Sequence, residues 1–410
     1  MSRIILHVDQ NCFFASVEMI SKPELRSVPM AVVGDIEERH GIILAKNQLA
    51  SEAGVKTAEA IWIAKTKSPE LVTVLAHYED YQFYSYKIRD MFLEYTDQVE
   101  PYGLDECWLD ITDYVTLRLE ASSKGSDSSY NTNRDKLSIW EEARQVADEI
   151  RARVRDEYQL TCSVGVSFNK VFAKLGSDYK KPDATTVITP DNFRDIVWPL
   201  DAGDLLYVGK KTNEQLKKIN ITTIGDIANV DREFLVKYLG KHGISMWDYA
   251  NGLDEEEVKK VDYQHDIKSV GNSTTKSKDL TNRNEVMLTF KSLSGKVATR
   301  LRRYKMIGEV VQITIRDENL HIIDRQCVMP HATNNQDEIL RHAMMLFDEN
   351  YSWEKNIRSV GVRVTSLFPE DTKVQMTLDE LATDKSSDND DKLSRTIDEL
   401  KLKFGEDIFL

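Results

Sequence analysis

The sequence predicts a multidomain α+β protein, on three observations. At 410 residues the chain exceeds what one hydrophobic core holds, so about two to four domains of roughly 100–200 residues are expected. Its first part mixes short strands, a tight hairpin and amphipathic helices. From Lys268 onward, strand and helix patterns alternate in the order βαββαβ.

The elements follow in order. Arg3 to Val8 reads as a buried strand, which places Asp9 at its end, and Cys12 to Glu18 begins a helix. Strand-like Val99-Glu100-Pro101-Tyr102 and Cys107-Trp108-Leu109-Asp110-Ile111 flank Gly103-Leu104-Asp105-Glu106, a hairpin with two carboxylates at its tip. The stretch from Glu120 to Arg134 is Ser/Asn-rich with almost no apolar residues and is expected to be a mobile insertion. Trp140, Ala143, Ala147, Ile150 and Val154 recur as one face of a helix, and a strand follows from Thr161 to Val166. A Lys-rich helical region comes next, then hairpinned helices from Leu205 to Glu257, with polar Asp254 to Asp266 as a linker. Beyond it, Val311, Ile313, Ile315 and Val360, Val362, Val364 mark strands, while Leu293, Val297, Leu301 and Ile339, Ala343, Phe347 mark helices. A mixed sheet with helices on one face is expected, with Gln312, Thr314, Arg316, Arg363 and Thr365 on the other face. The last residues form an acidic tail with a helix-like segment from Leu393 to Phe404.

With 41% hydrophobic and 30% charged residues the chain reads as soluble and globular. No apolar run reaches the ~18–20 residues that cross a bilayer, and Met1-Ser2-Arg3 leads into Ile4-Ile5-Leu6 without a signal pattern, so a cytoplasmic location is expected. Cys12, Cys107, Cys162 and Cys327 lie far apart without zinc-like spacing, which favours free thiols. The net charge of −14 is unevenly spread. Glu370 to Leu410 carries 12 acidic and 6 basic residues, net −6, whereas Lys268 to Pro369 carries 16 basic and 11 acidic, net +5. A basic module therefore sits between acidic regions.

The adjacent carboxylates Asp105 and Glu106 repel each other and have no cation beside them in sequence. A divalent ion is one source of compensation. Mg²⁺ suits such a site, since it takes a few carboxylates together with water and phosphate oxygens, and a strand-end Asp9 would complete the set. A solvated acidic turn is the other reading, and spacing alone does not bring Asp9 to the pair.

Three segments carry a resemblance: Leu6-His7-Val8-Asp9-Gln10-Asn11-Cys12-Phe13-Phe14-Ala15-Ser16-Val17-Glu18, Val99 through Thr112 with Tyr102-Gly103-Leu104-Asp105-Glu106-Cys107 at its centre, and Cys162-Ser163-Val164-Gly165-Val166-Ser167-Phe168-Asn169-Lys170-Val171-Phe172-Ala173-Lys174. They resemble, in order, the Y-family DNA polymerases of the bacterial DNA polymerase IV type. The resemblance implies a right-hand polymerase with a ferredoxin-like palm (1–10 and 79–168), small fingers (11–78) and a helical thumb with a helix-hairpin-helix (169–253). A linker (254–267), a βαββαβ little finger (268–369) and an acidic tail (370–410) would follow. It implies template-directed synthesis from dNTPs with two Mg²⁺ ions held by Asp9, Asp105, Glu106 and the Gln10 carbonyl, with Glu106 mainly on the primer side.

The same resemblance assigns Phe14 as a ring under the sugar that excludes a 2′-hydroxyl, and Cys12, Phe13 and Lys181 as triphosphate contacts. Where the family often places a Tyr and an Arg on the triphosphate, Gln48 and Ser51 stand here. Gln48 still donates a hydrogen bond; Arg39, Lys46 and Lys56 are candidates for the missing charge. Tyr207-Val208-Gly209-Lys210 resembles the helix-hairpin-helix, with Tyr207 at its usual first glycine and Gly209 and Lys210 toward DNA. In the little finger, Lys276, Lys278, Arg300, Arg302, Arg303, Arg316 and Arg363 are expected on DNA phosphates. Gln375-Met376-Thr377-Leu378 resembles a sliding-clamp peptide, docking through Gln375 and Leu378. No separate stretch reads as an exonuclease, so proofreading is not expected, and the resemblance implies error-prone synthesis past damaged template; a monomer is expected. A non-catalytic DNA-bound relative in a mutagenesis complex and a nucleotide cyclase are the rival readings. Intact carboxylates oppose the first, and the basic module has no task in the second.

Overall fold

The computed structural model describes residues 2–34, 41–123, 132–263 and 266–372, together with Thr396. The chain divides into two compact units, one ending at Tyr263 and the other running on from Gln264.

In chain order the first unit begins with strand β1 (Ile5–Gln10), helix α1 (Phe13–Ser21), strands β2 (Met30–Val33) and β3 (Ile43–Lys46), and helices α2 (Gln48–Glu52) and α3 (Ile61–Lys67). Strand β4 (Val72–Leu75), helix α4 (Tyr78–Phe92), strands β5 (Val99–Tyr102) and β6 (Glu106–Asp110), and helices α5 (Thr112–Ser123) and α6 (Thr132–Tyr158) follow. Strand β7 (Cys162–Ser167), helix α7 (Lys170–Tyr179), strand β8 (Thr185–Ile188) and helices α8 (Phe193–Val197), α9 (Lys210–Lys218), α10 (Ile224–Asn229), α11 (Arg232–Leu239) and α12 (Lys241–Ala250) complete it. Helices α5 and α6 take in the ends of the stretch expected to be a mobile insertion, and residues 124–131 lie outside the described ones.

Strand β1 is the middle of a five-stranded sheet ordered β5-β6-β1-β7-β8. Its side chains alternate between the two faces. Ile4, Leu6 and Val8 join a core with Tyr81, Ile88 and Phe92 of α4 and Ala143, Ala147, Ile150 and Val154 of α6. Ile5 packs instead on Trp108 and on Ala173 of α7, so His7 and Asp9 face α7 as well. The strand runs two residues beyond Val8, because Asp9 pairs with Glu106 on β6 and Ser163 on β7. Helix α7 lies close on this sheet because Gly165 has no side chain: a Cβ there would stand 1.8 Å from the Ala173 carbonyl oxygen. A small sheet β3-β2-β4 has its own core of Ala31, Val33, Ile43, Ala50, Ala64 and Leu71. Helices α8 to α12 surround Val197, Leu216, Ile224, Ile227 and Leu235.

The stretch expected to be a linker is anchored for most of its length. The Arg3 guanidinium donates to the carbonyls of Asp254, Glu255 and Glu256, Gln98 donates to the Val258 carbonyl at 3.1 Å, and Val258 is 2% exposed. Polar composition concealed this, since the partners are main-chain atoms.

The second unit is strand β9 (Ser269–Leu280), helix α13 (Arg283–Arg303), strands β10 (Met306–Asp317) and β11 (Ile322–Thr333), helix α14 (Gln336–Asn350) and strand β12 (Ile357–Pro369). This is the expected βαββαβ order, but the sheet is antiparallel throughout rather than mixed, with order β11-β10-β12-β9. The connection from β9 to β10 leaves room for β12 between them, and β12 runs against both. Val311, Ile313, Ile315, Val360, Val362 and Val364 form the core with Leu293, Val297, Leu301, Ile339 and Phe347. Asn282 and Asn335 cap the two helices by accepting from Glu285 N and from Asp337 and Glu338 N.

Candidate active site

Cross-strand pairing sets Asp9 directly opposite Glu106, and the Gln10 amide donates to the Asp105 carbonyl at 2.9 Å. Directly paired residues project to one face. A cavity of about 320 Å³ opens beside them, lined by Asp9, Gln10, Cys12, Phe13, Phe14, Lys46, Asp105, Glu106 and Lys181. The metal and substrate residues expected from sequence therefore share one cavity, with one exception. Gln48 lines a neighbouring cavity with Ser16, Arg26 and Arg155, and its amide donates to Glu52 at 3.1 Å.

Two lysines hold the carboxylates. Lys181 Nζ lies 2.6 Å from Asp9 and 2.7 Å from Asp178. Lys174 Nζ lies 2.5 Å from Glu106, and buried His7 places Nε2 3.2 Å from the same oxygen, short in distance although His7 Nε2 lacks a well-aligned hydrogen bond. Burial, partly opposed by Lys181, pushes the Asp9 carboxyl up to about 7. Glu106 is the reverse case: burial would raise it, but the contacts from His7 and Lys174 hold it at about 2. Burial and then repulsion from Glu106 raise Asp105. Burial lowers His7 to about 4, so it is a neutral ring at physiological pH.

The donor set fits a divalent cation chemically. Carboxylates on adjacent strands face one cavity, and the buried Gln10 Oε1 beside them has no hydrogen-bond partner among the described residues. Among those residues no three metal-ligating side chains are already gathered, which agrees with lysines neutralising Asp9 and Glu106 in this state.

Helix α1 points its start at the cavity. Cys12 is its N-cap in a left-handed conformation with φ 50°, and no side chain caps it. Its first amides are thus available to an anion. Phe14 stacks on Tyr81 with ring centroids 4.2 Å apart and an interplanar angle of 10°. Tyr81 is braced in turn: its hydroxyl donates to buried Glu18 at 2.6 Å and accepts from the His77 amide at 3.1 Å.

Elsewhere, Gly209 is the N-cap of α9 with open space where a Cβ would be, and Lys210 follows it exposed. Tyr207, standing where a glycine is usual, has φ 67°. In the second unit Arg316 and Arg363 are exposed on the face away from the helices, Lys278 and Arg303 are exposed, and Lys276 is half-buried. Arg300 and Arg302 instead donate to the carbonyls of Gly271 and Asn334 at 3.0 and 3.1 Å. Gln375, Leu378 and all but Thr396 of the 393–404 segment lie outside the described residues.

A model of the impB/mucB/samB family matches residues 8–178, and one of that family's C-terminal domain matches residues 267–378. DNA polymerase IV of Acetivibrio thermocellus is 43% identical over 405 residues, covering 99% of this chain and 96% of that protein. The chain belongs to the Y-family DNA polymerases. DNA polymerase IV 1 of Bacillus subtilis, another relative, is 34% identical and covers 98% of this chain and 91% of its own length. A solved Y-family DNA polymerase chimera of Dbh and Dpo4 shares the fold, with a TM-score of 0.75 at 22% identity over 89% of this chain and 99% of its own. Within this Y-family frame, Lys174, His7, Tyr81 and Glu18 are contacts that the sequence reading did not single out. A Glu four residues after Phe14, a spacing that shares one helix face, was the available sequence signal for Glu18.

Proposed function

We propose that this chain synthesises DNA from dNTPs on a primed template by nucleotidyl transfer at the Asp9, Asp105 and Glu106 site, and copies past damaged bases. The observation that carries the reading is the single cavity that gathers these carboxylates, the start of α1, the Phe14 ring and Lys181. Asp9, Asp105, Glu106 and the Gln10 carbonyl would hold two Mg²⁺ ions, which supply Lewis acidity toward the primer 3′-hydroxyl and neutralise phosphate charge. The amides at Cys12, Phe13 and Phe14 and the Lys181 ammonium would bind the triphosphate, and the braced Phe14 ring would lie against the sugar and exclude a 2′-hydroxyl.

DNA would be held through Gly209 and Lys210 and through Lys276, Lys278, Arg303, Arg316 and Arg363 on phosphates. Arg300 and Arg302, spent on main-chain carbonyls, would contribute less. Docking to a sliding clamp through Gln375 and Leu378, action as a monomer and a cytoplasmic location complete the proposal. Its test is extension of a primed template in Mg²⁺ by the wild-type chain and by Glu106→Gln. Wild-type extension with a loss of about 10³-fold or more in the variant supports the reading. Equal extension by both would overturn it.

A further inference from the structure

We propose that Lys46 binds the triphosphate in place of the arginine that this chain lacks at Ser51, an inference that rests on the polymerase reading above. The cavity that holds the carboxylates and Phe14 carries two cationic side chains in its lining, Lys46 and Lys181. Lys181 is shared with two carboxylates, its ammonium 2.6 Å from Asp9 and 2.7 Å from Asp178. Lys46 is less engaged: among the described residues its ammonium has one hydrogen bond, to the Thr57 hydroxyl at 3.5 Å, and no carboxylate partner. A half-buried ammonium on the wall of a cavity, with no carboxylate at ion-pair distance among the described residues, is free to meet an anionic ligand there.

Position in the fold sets Lys46 apart from the other described candidates, Arg39 lying outside the described residues. Lys46 ends β3, whose Leu44, Ala45 and Lys46 form one wall of the cavity, whereas Ser51 and Gln48 lie on α2 and outside that lining. Lys56 is exposed and absent from the lining too. A lysine at the strand end thus brings the charge by a different route, as a compact ammonium rather than a two-pronged guanidinium. It would grip phosphate as a point charge, and the start of α1 would supply the directional donors.

The test measures dNTP binding to the chain with primed DNA in Ca²⁺ at a concentration that permits no synthesis, and steady-state insertion in Mg²⁺. Lys46→Ala should weaken dNTP binding and raise KM about 10-fold or more, with kcat reduced far less. Its thermal midpoint should match the wild type, Lys46→Arg should keep most of the affinity, and Ser51→Arg placed in the Lys46→Ala chain should restore it. The loss should be absent for the unphosphorylated deoxynucleoside. An unchanged dNTP affinity in Lys46→Ala would overturn the inference while leaving the polymerase reading intact. A wild-type chain that binds dNTP through Lys46 yet never extends a primer would reject the polymerase reading instead.

Discussion

Contacts from His7 and Lys174 hold Glu106 ionised, whereas burial outweighs Lys181 at Asp9, so two neighbouring carboxylates are shifted in opposite directions. Asp9, raised to about 7 from 3.8, keeps its proton in the fold across a pH window below about 7 in which the unfolded chain has lost it. That proton adds stability at low pH, and the contribution is lost as pH rises through about 7. Metal binding needs the ionised form, so Mg²⁺ binding is expected to release a proton and to strengthen from about pH 6 to 8; calorimetry in buffers of different ionisation heat measures both. Phe14→Ala should raise ribonucleotide insertion roughly 100-fold relative to dNTP, and unchanged sugar selection would remove Phe14 from that role. The strand end at Asp9 and the hairpin at Asp105 and Glu106 were legible from strand-and-turn patterns, whereas their meeting was implied only by the family resemblance. Lys174 and His7 were not, because the Lys174–Glu106 contact spans 68 residues and His7 is one of several residues in an ordinary buried strand.

Helix α7 is the element on which the site depends, because it carries Lys174 and Ser177 and leads directly to Lys181. Its seat requires Gly165, and Gly165→Ala should destabilise the first unit by at least about 3 kcal/mol, read by denaturant unfolding. A hairpin glycine position filled by Tyr207 stores strain of about 1–2 kcal/mol. Tyr207→Gly should recover part of it as a higher thermal midpoint, less the loss of the ring's contact with Tyr249 at 6.2 Å. Elements with clear periodicity read well: all of Ala143, Ala147, Ile150 and Val154 are buried, as are Val297, Leu301 and Phe347. The sheet of the second unit did not, since periodicity gives a strand's faces and says nothing about which strand lies beside it. The anchored segment after α12 escaped for a related reason, as hydrogen bonds to main-chain carbonyls leave no mark in side-chain composition.

At the scale of the whole molecule, acidic net charge coexists with a basic stretch, Lys268 to Pro369, whose outward sheet face carries Arg316 and Arg363. DNA affinity should therefore fall linearly on a log–log plot against salt, with a slope near −0.9 per phosphate neutralised; Arg316→Ala with Arg363→Ala should flatten that slope by roughly 1–2. Stimulation by a sliding clamp should be lost in a Gln375→Ala, Leu378→Ala chain that keeps its unassisted activity. The central claim is that the carboxylates facing one cavity make this chain a polymerase, and primer extension in Mg²⁺ with single dNTPs tests it most directly. The expected result is template-matched addition by the wild type and a loss of about 10³-fold or more in Asp9→Asn, Asp105→Asn and Glu106→Gln alike. Extension that survives in any of the three, or none by the wild-type chain, would contradict the account.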